Sequence, residues 1–547
     1  MGSSIKATSL LSVLLALALI APAGAVRRSA PAGVGYVQSS VGLEPPQWDG
    51  GRTEIEMGDV NGDGNPDLVS IGDHGSPYFN TDEHGVMVWF GDGRGNWSLF
   101  QNGDFGYGGV ALGDANNDGA MDVGYAMHHN YSSSDFGNQL IEVALGDGSG
   151  RVWQPWDDGL ATNGETYGMF GTDFADVNND GRLDVASNSF GCCAGVHVYL
   201  NHGDGTWAQS FGFVGGRAND DIAFGDVNGD GFADLAVANQ LGTVYLGNGE
   251  GGFQLADGNL PAGGSQGRSG IALGDANDDG HDDLSFCLPN GGPSVWVWTP
   301  GNVWQSFSGG LPGSGCLAVQ LYDVNGDGHR DLTAFMSGGN VRVFAGDGSG
   351  NWTQAASFQV PEPDHSAMRV GGDADHNGFP DIALVAQASG FNGRNHVRFY
   401  KEASIPTTLS VKPVAPDGGE TFYVGSTHFV DWLSAVPDGQ AASVRIELSV
   451  SGAGGPWLPV ADNVPNNGRY QWHIPADSPV SDDSYLRFVV TTSRGKAQAQ
   501  TRMPFTLRSS EPRLCTLCRG PAALHQVLRT LVSGLSSELP KSGPSGQ

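Results

Sequence analysis

A nine-residue pattern of oxygen-bearing side chains occurs seven times along the chain. Six copies read Asp-x-Asn-x-Asp-Gly-x-x-Asp and begin at Asp59, Asp114, Asp176, Asp226, Asp275 and Asp323. A seventh copy, from Asp373 to Asp381, exchanges the third and fifth residues, so that Asp375 precedes Asn377. Successive copies start 55, 62, 50, 49, 48 and 50 residues apart, so the pattern is a structural repeat and not a chance match.

Residues of these types at this spacing suit a hard divalent cation. Calcium takes about six to eight oxygen ligands from carboxylates, amides and backbone carbonyls. Oxygens at positions 1, 3 and 5 of a tight loop converge on one point, the Gly at position 6 permits the turn, and the Asp at position 9 closes the site. The side chain at position 7 varies from Ala120 to Arg182 and Phe232, as expected where the backbone carbonyl is the ligand. The pattern therefore predicts about seven Ca²⁺ sites; the alternative is a set of solvated Asp/Asn/Gly turns.

The loops do not fit the EF-hand, which needs a Glu at position 12 and flanking helices. Position 12 holds Ser70, Tyr125, Ser187, Val237, Phe286, Ala334 and Leu384. The flanking segments instead alternate small and apolar residues, which indicates strands.

Each repeat contains the signals of four antiparallel strands. One strand enters the loop and one leaves it; a third, such as 86–90, runs into an Asp-Gly turn, and a short fourth strand begins with an aromatic residue such as Trp97 or Trp352. Seven such units predict an all-β fold, a seven-bladed β-propeller. The seventh unit lacks its aromatic strand, and the segment from Tyr36 to Leu43 matches that strand in other repeats. We expect this segment to complete the last blade and close the ring.

The loops and the Gly-Asp-Gly turns resemble the FG-GAP/VCBS repeats of integrin-α-type propellers over residues 34–402. The resemblance implies that positions 1, 3, 5, 7 and 9 of each loop bind Ca²⁺, on the face opposite the usual ligand-binding surface. The implied ligands are Asp59, Asn61, Asp63, Asn65, Asp67, Asp114, Asn116, Asp118, Ala120, Asp122, Asp176, Asn178, Asp180, Arg182, Asp184, Asp226, Asn228, Asp230, Phe232, Asp234, Asp275, Asn277, Asp279, His281, Asp283, Asp323, Asn325, Asp327, His329, Asp331, Asp373, Asp375, Asn377, Phe379 and Asp381. The seventh copy keeps its carboxylate count, so it too is expected to bind.

Composition excludes two classes of partner. The 547 residues include 59 acidic and 27 basic side chains, for a formal charge of −32. Such a chain lacks the basic surface that nucleic acids or anionic membranes require. With 39% hydrophobic and 16% charged residues it is a folded protein, and 86 glycines indicate many tight turns.

The N-terminus has the features of a secretory signal peptide, residues 1–25. Lys6 precedes an apolar run over 10–20 and a small-residue cleavage site over 21–25. The alternative, a membrane anchor, is disfavoured because an apolar run of eleven residues is too short to span a bilayer. We expect a secreted or cell-surface protein with no transmembrane segment in the mature chain.

A second domain is predicted over residues 409–507. Its short alternating strands indicate a β-sandwich, and Pro416–Glu420, Val430–Trp432 and Gly468–Trp472 resemble the Ig-like and fibronectin-III-like modules of exported proteins, which often act as spacers. The tail, 508–547, carries Cys515 and Cys518 in a CxxC pattern and an apolar stripe of helical spacing.

Six cysteines permit three disulfides in an exported chain, but the sequence does not fix their pairing. Cys287 and Cys316 lie in successive repeats and can pair across them. The adjacent Cys192 and Cys193 would form a strained bridge with each other. A local bridge between Cys515 and Cys518 is a third option.

Candidate ligand-binding residues lie in the irregular parts of the repeats. Inserted loops in the first two blades, on the face opposite the metal loops, carry His74, Tyr78, Asp82, His128, His129, Tyr131 and Asp135. Arg52, Tyr107 and Arg268 should ring the axial opening on that face. The alternatives are ordinary loop decoration, transition-metal binding by the histidines, and residues that only fill the channel.

The sequence favours a calcium-binding adhesion or recognition module for a carbohydrate or an extracellular protein. The alternatives are an extracellular polysaccharide-degrading enzyme on the same scaffold and a structural component of the cell envelope. No nucleophile elbow, phosphate loop, zinc-protease or dinucleotide motif is present, and no residue is assigned a catalytic role. The oligomeric state does not follow from the sequence.

Overall fold

The structure is a computed structural model that describes part of the 547-residue chain. The described residues are 34–43, 48–49, 54–72, 83–128, 132–165, 168–189, 195–216, 218–239, 241–261, 270–388 and 394–509. The predicted signal peptide, Cys192, Cys193 and all but the first two residues of the predicted tail lie outside these ranges. Within them every element is a strand except a 3₁₀ turn at Pro437–Gly439. No helix of this part of the chain has the length and apolar character needed to cross a membrane.

The strands from 36 to 402 form seven sheets that are predominantly four-stranded. β1 (Tyr36–Gln38) and β2 (Trp48–Asp49) come first. Blade one contains β3 (Ile55–Gly58), β4 (Asp67–Ile71), β5 (Val86–Gly91) and β6 (Trp97–Asn102); blade two contains β7 (Val110–Gly113), β8 (Asp122–Ala126), β9 (Ile141–Gly146) and β10 (Trp153–Pro155). Blade three contains β11 (Met169–Ala175), β12 (Asp184–Ser189), β13 (Val196–Asn201) and β14 (Trp207–Phe213); blade four contains β15 (Ala218–Gly225), β16 (Asp234–Asn239), β17 (Gly242–Gly247) and β18 (Phe253–Leu255).

The remaining blades repeat this order. Blade five contains β19 (Ile271–Gly274), β20 (Asp283–Cys287), β21 (Pro293–Thr299) and β22 (Val303–Ser306); blade six contains β23 (Cys316–Tyr322), β24 (Asp331–Met336), β25 (Asn340–Gly346) and β26 (Trp352–Gln359); blade seven contains β27 (Asp364–Gly371), β28 (Asp381–Gln387) and β29 (Arg394–Glu402). The first strand of each blade packs beside the first strand of the next, including β27 beside β3. The predicted seven-bladed propeller is confirmed.

The N-terminal strand closes the ring. β1 pairs antiparallel with β29, with Tyr36 opposite Glu402 and Gln38 opposite Tyr400. β2 also pairs with β29, further along the same strand. The last blade therefore contains both ends of the propeller, which closes the ring.

The hydrophobic core lies between neighbouring blades. One cluster, for example, joins Val69 and Val88 of blade one to Val123 and Trp153 of blade two. The inner strands end in small residues because the next blade packs directly against them: a Cβ on Gly58 would lie 2.9 Å from Cδ1 of Leu112. The alternation of small and apolar residues in the sequence thus reflects close approach of the blades around the axis.

The aromatic residue that opens the fourth strand fastens one blade to the preceding one. The indole N–H of Trp207 donates to the carbonyl of Trp156 at 2.8 Å, and that of Trp304 donates to Ala256 at 2.9 Å. Trp97 donates in the same way to Ser39, at 3.0 Å, and so ties blade one to the N-terminal segment.

A disulfide joins blades five and six. Cys287 at the end of β20 is bonded to Cys316 at the start of β23. This is the cross-blade pairing that the sequence allowed.

The strands after residue 409 form a β-sandwich. They are β30 (Ser410–Ala415), β31 (Thr421–Tyr423), β32 (Thr427–Ala435), β33 (Ala442–Ser449), β34 (Leu458–Pro465), β35 (Arg469–His473), β36 (Ser481–Thr492), β37 (Gly495–Gln500) and β38 (Phe505–Arg508). One sheet has the order β30-β32-β35; the other has the order β31-β38-β36-β33-β34, with β37 also on β36. Trp432, Trp472 and Phe488 are buried between them.

Candidate metal loops

The seven loops connect the first and second strands of the blades and share one backbone conformation. Loops one to seven are residues 59–67, 114–122, 176–184, 226–234, 275–283, 323–331 and 373–381. The Gly at position 6 has positive φ in every loop, for example 91° at Gly64 and 99° at Gly328. A side chain there would be strained, which explains why this position never varies.

Position 4 also has positive φ in all seven loops, a regularity that the sequence analysis missed. Its residues are Gly62, Asn117, Asn179, Gly229, Asp278, Gly326 and His376. Gly, Asn, Asp and His are the residue types that most readily adopt this conformation. The restricted choice at position 4 was therefore a readable signal of loop geometry.

The carboxylate oxygens at positions 1 and 9 of a loop accept hydrogen bonds from backbone N–H groups. In loop one, Asp59 accepts from Asp63 N–H at 3.0 Å and from Gly64 N–H at 2.9 Å. Asp67 is fully buried and accepts from Val60 N–H at 3.1 Å and from Gly91 N–H at 2.9 Å. These bonds hold the carboxylates at positions 1 and 9 in place and leave part of their acceptor capacity unused.

Without a bound cation, burial raises the pKa of these carboxyls and so favours their protonated form. It raises the pKa of Asp122 to about 7 and the pKa of Asp67 and Asp234 to about 8. The other loop carboxylates add to this effect by repulsion. A divalent cation between the carboxylates would reverse it, because an opposite charge favours the ionised form.

Loop seven fits a cation best. One oxygen each from Asp373, Asp375 and Asp381 lies within 4.8 Å of the other two. Oδ1 of Asp375 is buried and has no hydrogen-bond partner, while Oδ2 accepts from the ammonium of Lys401 at 2.9 Å. A buried carboxylate oxygen without a donor is costly unless a cation supplies the missing interaction. The exchange of Asp and Asn that distinguishes this loop in the sequence brings the third carboxylate to position 3.

The sandwich packs on the face of the propeller that carries the loops. It reaches loop one with Asn467 (Nδ2 to Asp59 Oδ2, 3.3 Å), loop two with Gln471 (Nε2 to Asp114 O, 2.8 Å), loop three with Thr427 (N to Asp176 Oδ2, 2.9 Å) and loop four with Tyr423 (OH to Asp230 O, 3.1 Å). It reaches loop five with Arg502 (Nη2 to Asp278 Oδ1, 2.8 Å), loop six with Lys412 (Nζ to Asp323 Oδ2) and loop seven with Val436 (N to His376 O, 2.8 Å). All seven loops thus lie against the second domain, which caps the propeller instead of standing clear of it as a spacer.

A charged cluster lies on the axis beneath this cap. Glu56, Asp173 and Arg369 occupy equivalent places on the inner strands, opposite Val69, Ala186 and Ala383 of the second strands. Nε of Arg369 donates to Glu56 at 2.5 Å, and its Nη1 lies 3.9 Å from Oδ1 of Asp221. Glu56, Asp173 and Arg369 line a cavity of about 260 Å³ that the sandwich closes with Trp432 and Arg469.

The members of this cluster lie at unequal distances from their loops in the sequence, so the repeat pattern does not reveal them. Glu56 and Asp173 precede their loops by three residues, but Arg369 precedes loop seven by four. The extra residue is Gly372, whose φ of 65° lets Gly371 pair with Asp381 as Gly58 pairs with Asp67. A count of three residues back from Asp373 gives Val370 and not Arg369, so the sequence spacing alone assigns the wrong residue to the axis.

The axial cluster predicts a pH dependence of stability. Burial raises the pKa of Asp173 to about 6 and of Asp221 to about 7, and raises the pKa of Glu54 well above its ordinary value. Between pH 4 and these values the folded state keeps protons that the unfolded state releases. The unfolding free energy therefore falls as pH rises, by about 1.4 kcal/mol per pH unit for each retained proton, until these carboxyls are ionised in the folded state. Urea denaturation at saturating calcium between pH 4 and 8 measures this slope.

Two variants provide the controls for this measurement. Asp221→Asn removes one of the titrating groups and should flatten the slope. Asp462→Asn, at an exposed position on β34, should leave it unchanged. A stability that rises with pH over this window would contradict the assignment.

The predicted ligand-binding residues divide into three groups. Tyr107 and His128 are brought together, with ring centroids 5.1 Å apart, and both pack on Phe170. Tyr107 is only 3% exposed, which is the channel-filling arrangement. Asp135 lies exposed on the inserted loop of blade two, where Asn138 donates to it at 3.3 Å. The others, Arg52, His74, Tyr78, Asp82, His129, Tyr131 and Arg268, lie outside the described residues.

A buried carboxylate anchors the loop that carries Asp135. Glu142 accepts from the Tyr125 hydroxyl at 2.5 Å, from Gln139 N–H at 2.6 Å and from Gly137 N–H at 2.9 Å. Burial raises the pKa of Glu142 to about 6. Glu142 therefore ties the described part of this insertion to the blade, and Phe136 packs beside it on Phe105 and Tyr125.

Comparison with known protein families identifies the repeats. A model described as an FG-GAP-like repeat matches residues 59–125 and 323–384, and a model described as an FG-GAP repeat matches residues 218–253. The chain carries FG-GAP repeats. The matched segments contain the loops of blades one, two, four, six and seven.

Comparisons of the whole chain with curated proteins and with solved structures find only distant similarity. No curated protein matches the chain. Among solved structures, the crystal structures of BBS1N in complex with ARL6DN, one soaked with mercury and one with lead, match at 16% and 14% identity. Both alignments cover 68% of this chain and 97% of the other, with a TM-score of 0.40.

Proposed function

We propose that this protein is an extracellular recognition module whose FG-GAP loops bind calcium and whose opposite face binds a carbohydrate or protein ligand. The observation that carries the proposal is the position of the second domain. Because the sandwich covers the loops of all seven blades, that face is not available to a partner. The opposite face, with the inserted loops of blades one and two, is the surface left for recognition.

Calcium is the ion that these loops would hold. Positions 1, 3, 5 and 9 offer carboxylate and amide oxygens, position 7 offers a carbonyl, and no sulfur or imidazole is needed, which is the ligand set of a hard cation. The three converging carboxylates of loop seven support this choice. FG-GAP repeats are typical of extracellular proteins, where calcium is abundant. Nothing in the described residues favours the enzymatic alternative.

The test is ligand binding by the purified full chain in calcium. We expect binding to a subset of an array of polysaccharides and extracellular proteins, and a loss of at least tenfold in affinity for Tyr131→Ala and Asp135→Asn. The control is Asp462→Asn on the sandwich, which should bind normally. Binding that is lost with the sandwich variant and kept with the blade-two variants would contradict the assignment of the face.

A further inference from the structure

Loop six has the same sequence pattern as loops one to five but a different hydrogen-bond arrangement. In loops one to five the amide of the third residue donates to the carboxylate of the fifth. These pairs are Asn61 with Asp63, Asn116 with Asp118, Asn178 with Asp180, Asn228 with Asp230 and Asn277 with Asp279. In loop six the amide of Asn325 turns instead to the ninth residue, Asp331, at 3.2 Å.

This change saturates the carboxylate at position 9. Oδ2 of Asp331 accepts from the N–H groups of Val324, at 3.0 Å, and Asn325, at 3.1 Å. Oδ1 accepts from Gly346 N–H at 3.0 Å and from the Asn325 amide. An ionised carboxylate has about four lone-pair sites, and here protein donors use all of them.

The carboxylate at position 1 is saturated as well, and one of its donors is a cation. Oδ1 of Asp323 accepts from Gly326 N–H at 2.7 Å and from Asp327 N–H at 3.2 Å. Oδ2 accepts from Gly328 N–H at 2.8 Å and from the ammonium of Lys412, which β30 of the sandwich supplies. Asp323 is 5% exposed and the Lys412 side chain 32%, so a buried carboxylate meets a partly exposed ammonium.

The other loops keep free acceptor capacity at these positions. In loop five, Asp275 accepts from Asp279 and Gly280 N–H groups, and Asp283 accepts from Ala276 N–H. Where the sandwich touches the first carboxylate of loops one and three, its donor is neutral: the Asn467 amide or the Thr427 N–H. Basic side chains also reach loops three, five and seven, but after position 1: Arg182 on Asp180, Arg502 on Asp278 and Lys401 on Asp375.

We infer that loop six holds no divalent ion and that the Lys412 ammonium is its permanent cation. The inference rests on the proposed calcium binding of the other loops. A calcium ion in loop six would have to displace Lys412, or a backbone N–H, to reach Asp323, and would have to displace hydrogen-bond donors from Asp331. A single positive charge with three N–H donors satisfies the loop without that loss. The protein would accordingly bind six ions, and its sixth loop would be joined to the cap whether calcium is present or not.

The direct test is a crystal of the full chain grown in calcium, with anomalous difference density compared among the loops. We expect calcium peaks in the other loops, none in loop six, and a new peak in loop six of Lys412→Met. Lys496→Met, at an exposed position on β37, is the matched control and should leave loop six empty of calcium.

Elemental analysis of the calcium content per chain gives a second measurement. It does not depend on whether Lys412→Met folds. Asp275→Asn should lower the calcium content by one ion per chain, whereas Asp323→Asn should not lower it. A calcium peak in loop six of the unaltered protein, a loss of one ion in Asp323→Asn, or no calcium in loop six of folded Lys412→Met would overturn the inference. Absence of calcium from every loop would instead refute the proposed calcium binding.

Discussion

Chelation of calcium is expected to remove most of the folding stability of this protein. Each ion held at 100 times its Kd stabilises the folded state by about 2.7 kcal/mol. Four such ions already contribute about 11 kcal/mol, which is comparable to the whole unfolding free energy of an ordinary domain, about 5–15 kcal/mol. The physical reason is that an empty loop leaves buried carboxylates that must repel one another or take up protons.

The measurement is thermal unfolding of the full chain by calorimetry with and without EGTA. We expect the propeller transition to move down by tens of degrees or to disappear, and to return when calcium is restored. Magnesium is the control, because it prefers strict octahedral coordination and keeps its water shell, so it should restore little. An unchanged transition together with an absence of calcium in elemental analysis would show that the loops are not metal sites.

Substitutions in single loops measure how much of the calcium-dependent stability each blade contributes. Asp275→Asn should remove about one ion's share of the calcium-dependent stability. Asp462→Asn, which lies far from every loop in the sequence and is exposed on β34, should remove none. Equal effects of the two substitutions would mean that the stabilisation does not arise in the loops.

The propeller was predictable because its signals repeat. Seven copies of one loop fixed the number of blades, and the missing aromatic strand of the last repeat pointed to Tyr36 as the start of the strand that closes the ring. Cys287 and Cys316 were identified as a possible pair because they fall in adjacent repeats. In each case several residues in register carry the same information, so errors at single positions do not matter.

The cap and the axial cluster were not predictable because single residues carry them. Thr427, Asn467 and Lys412 belong to a domain without repeats, and nothing in their spacing shows that they meet the loops. Loop six has the same residue types as loop five at positions 1, 3, 5 and 9, yet its Asn325 amide points to a different partner. Such differences depend on contacts between distant parts of the chain, which local sequence patterns do not contain.

Replacement of Arg369 by Met is the second substitution expected to have a large effect. Arg369 faces Glu56, Asp221 and Glu54, and although burial works against its charge, these carboxylates raise the pKa of the guanidinium above its ordinary value. Glu56, Asp173, Asp221 and Glu54 would remain without the cation that offsets them. Removing one partner of a buried ion pair typically costs about 3–5 kcal/mol, because the remaining charges stay desolvated.

Urea denaturation of Arg369→Met at pH 7.5 in saturating calcium measures this loss. Arg342→Met is the matched control: Arg342 lies on β25 of blade six and donates to the neutral side chain of Asn340 at 2.6 Å, so its loss should cost less than about 1 kcal/mol.

The double variant Arg369→Met with Glu56→Gln should recover part of the stability, because the second change removes one of the charges left unpaired. The carboxylates that remain should also bind protons more readily, so that Arg369→Met is least destabilised near pH 5. Equal losses for Arg369→Met and Arg342→Met, with no dependence on pH, would show that the axial charges do not interact as the geometry indicates.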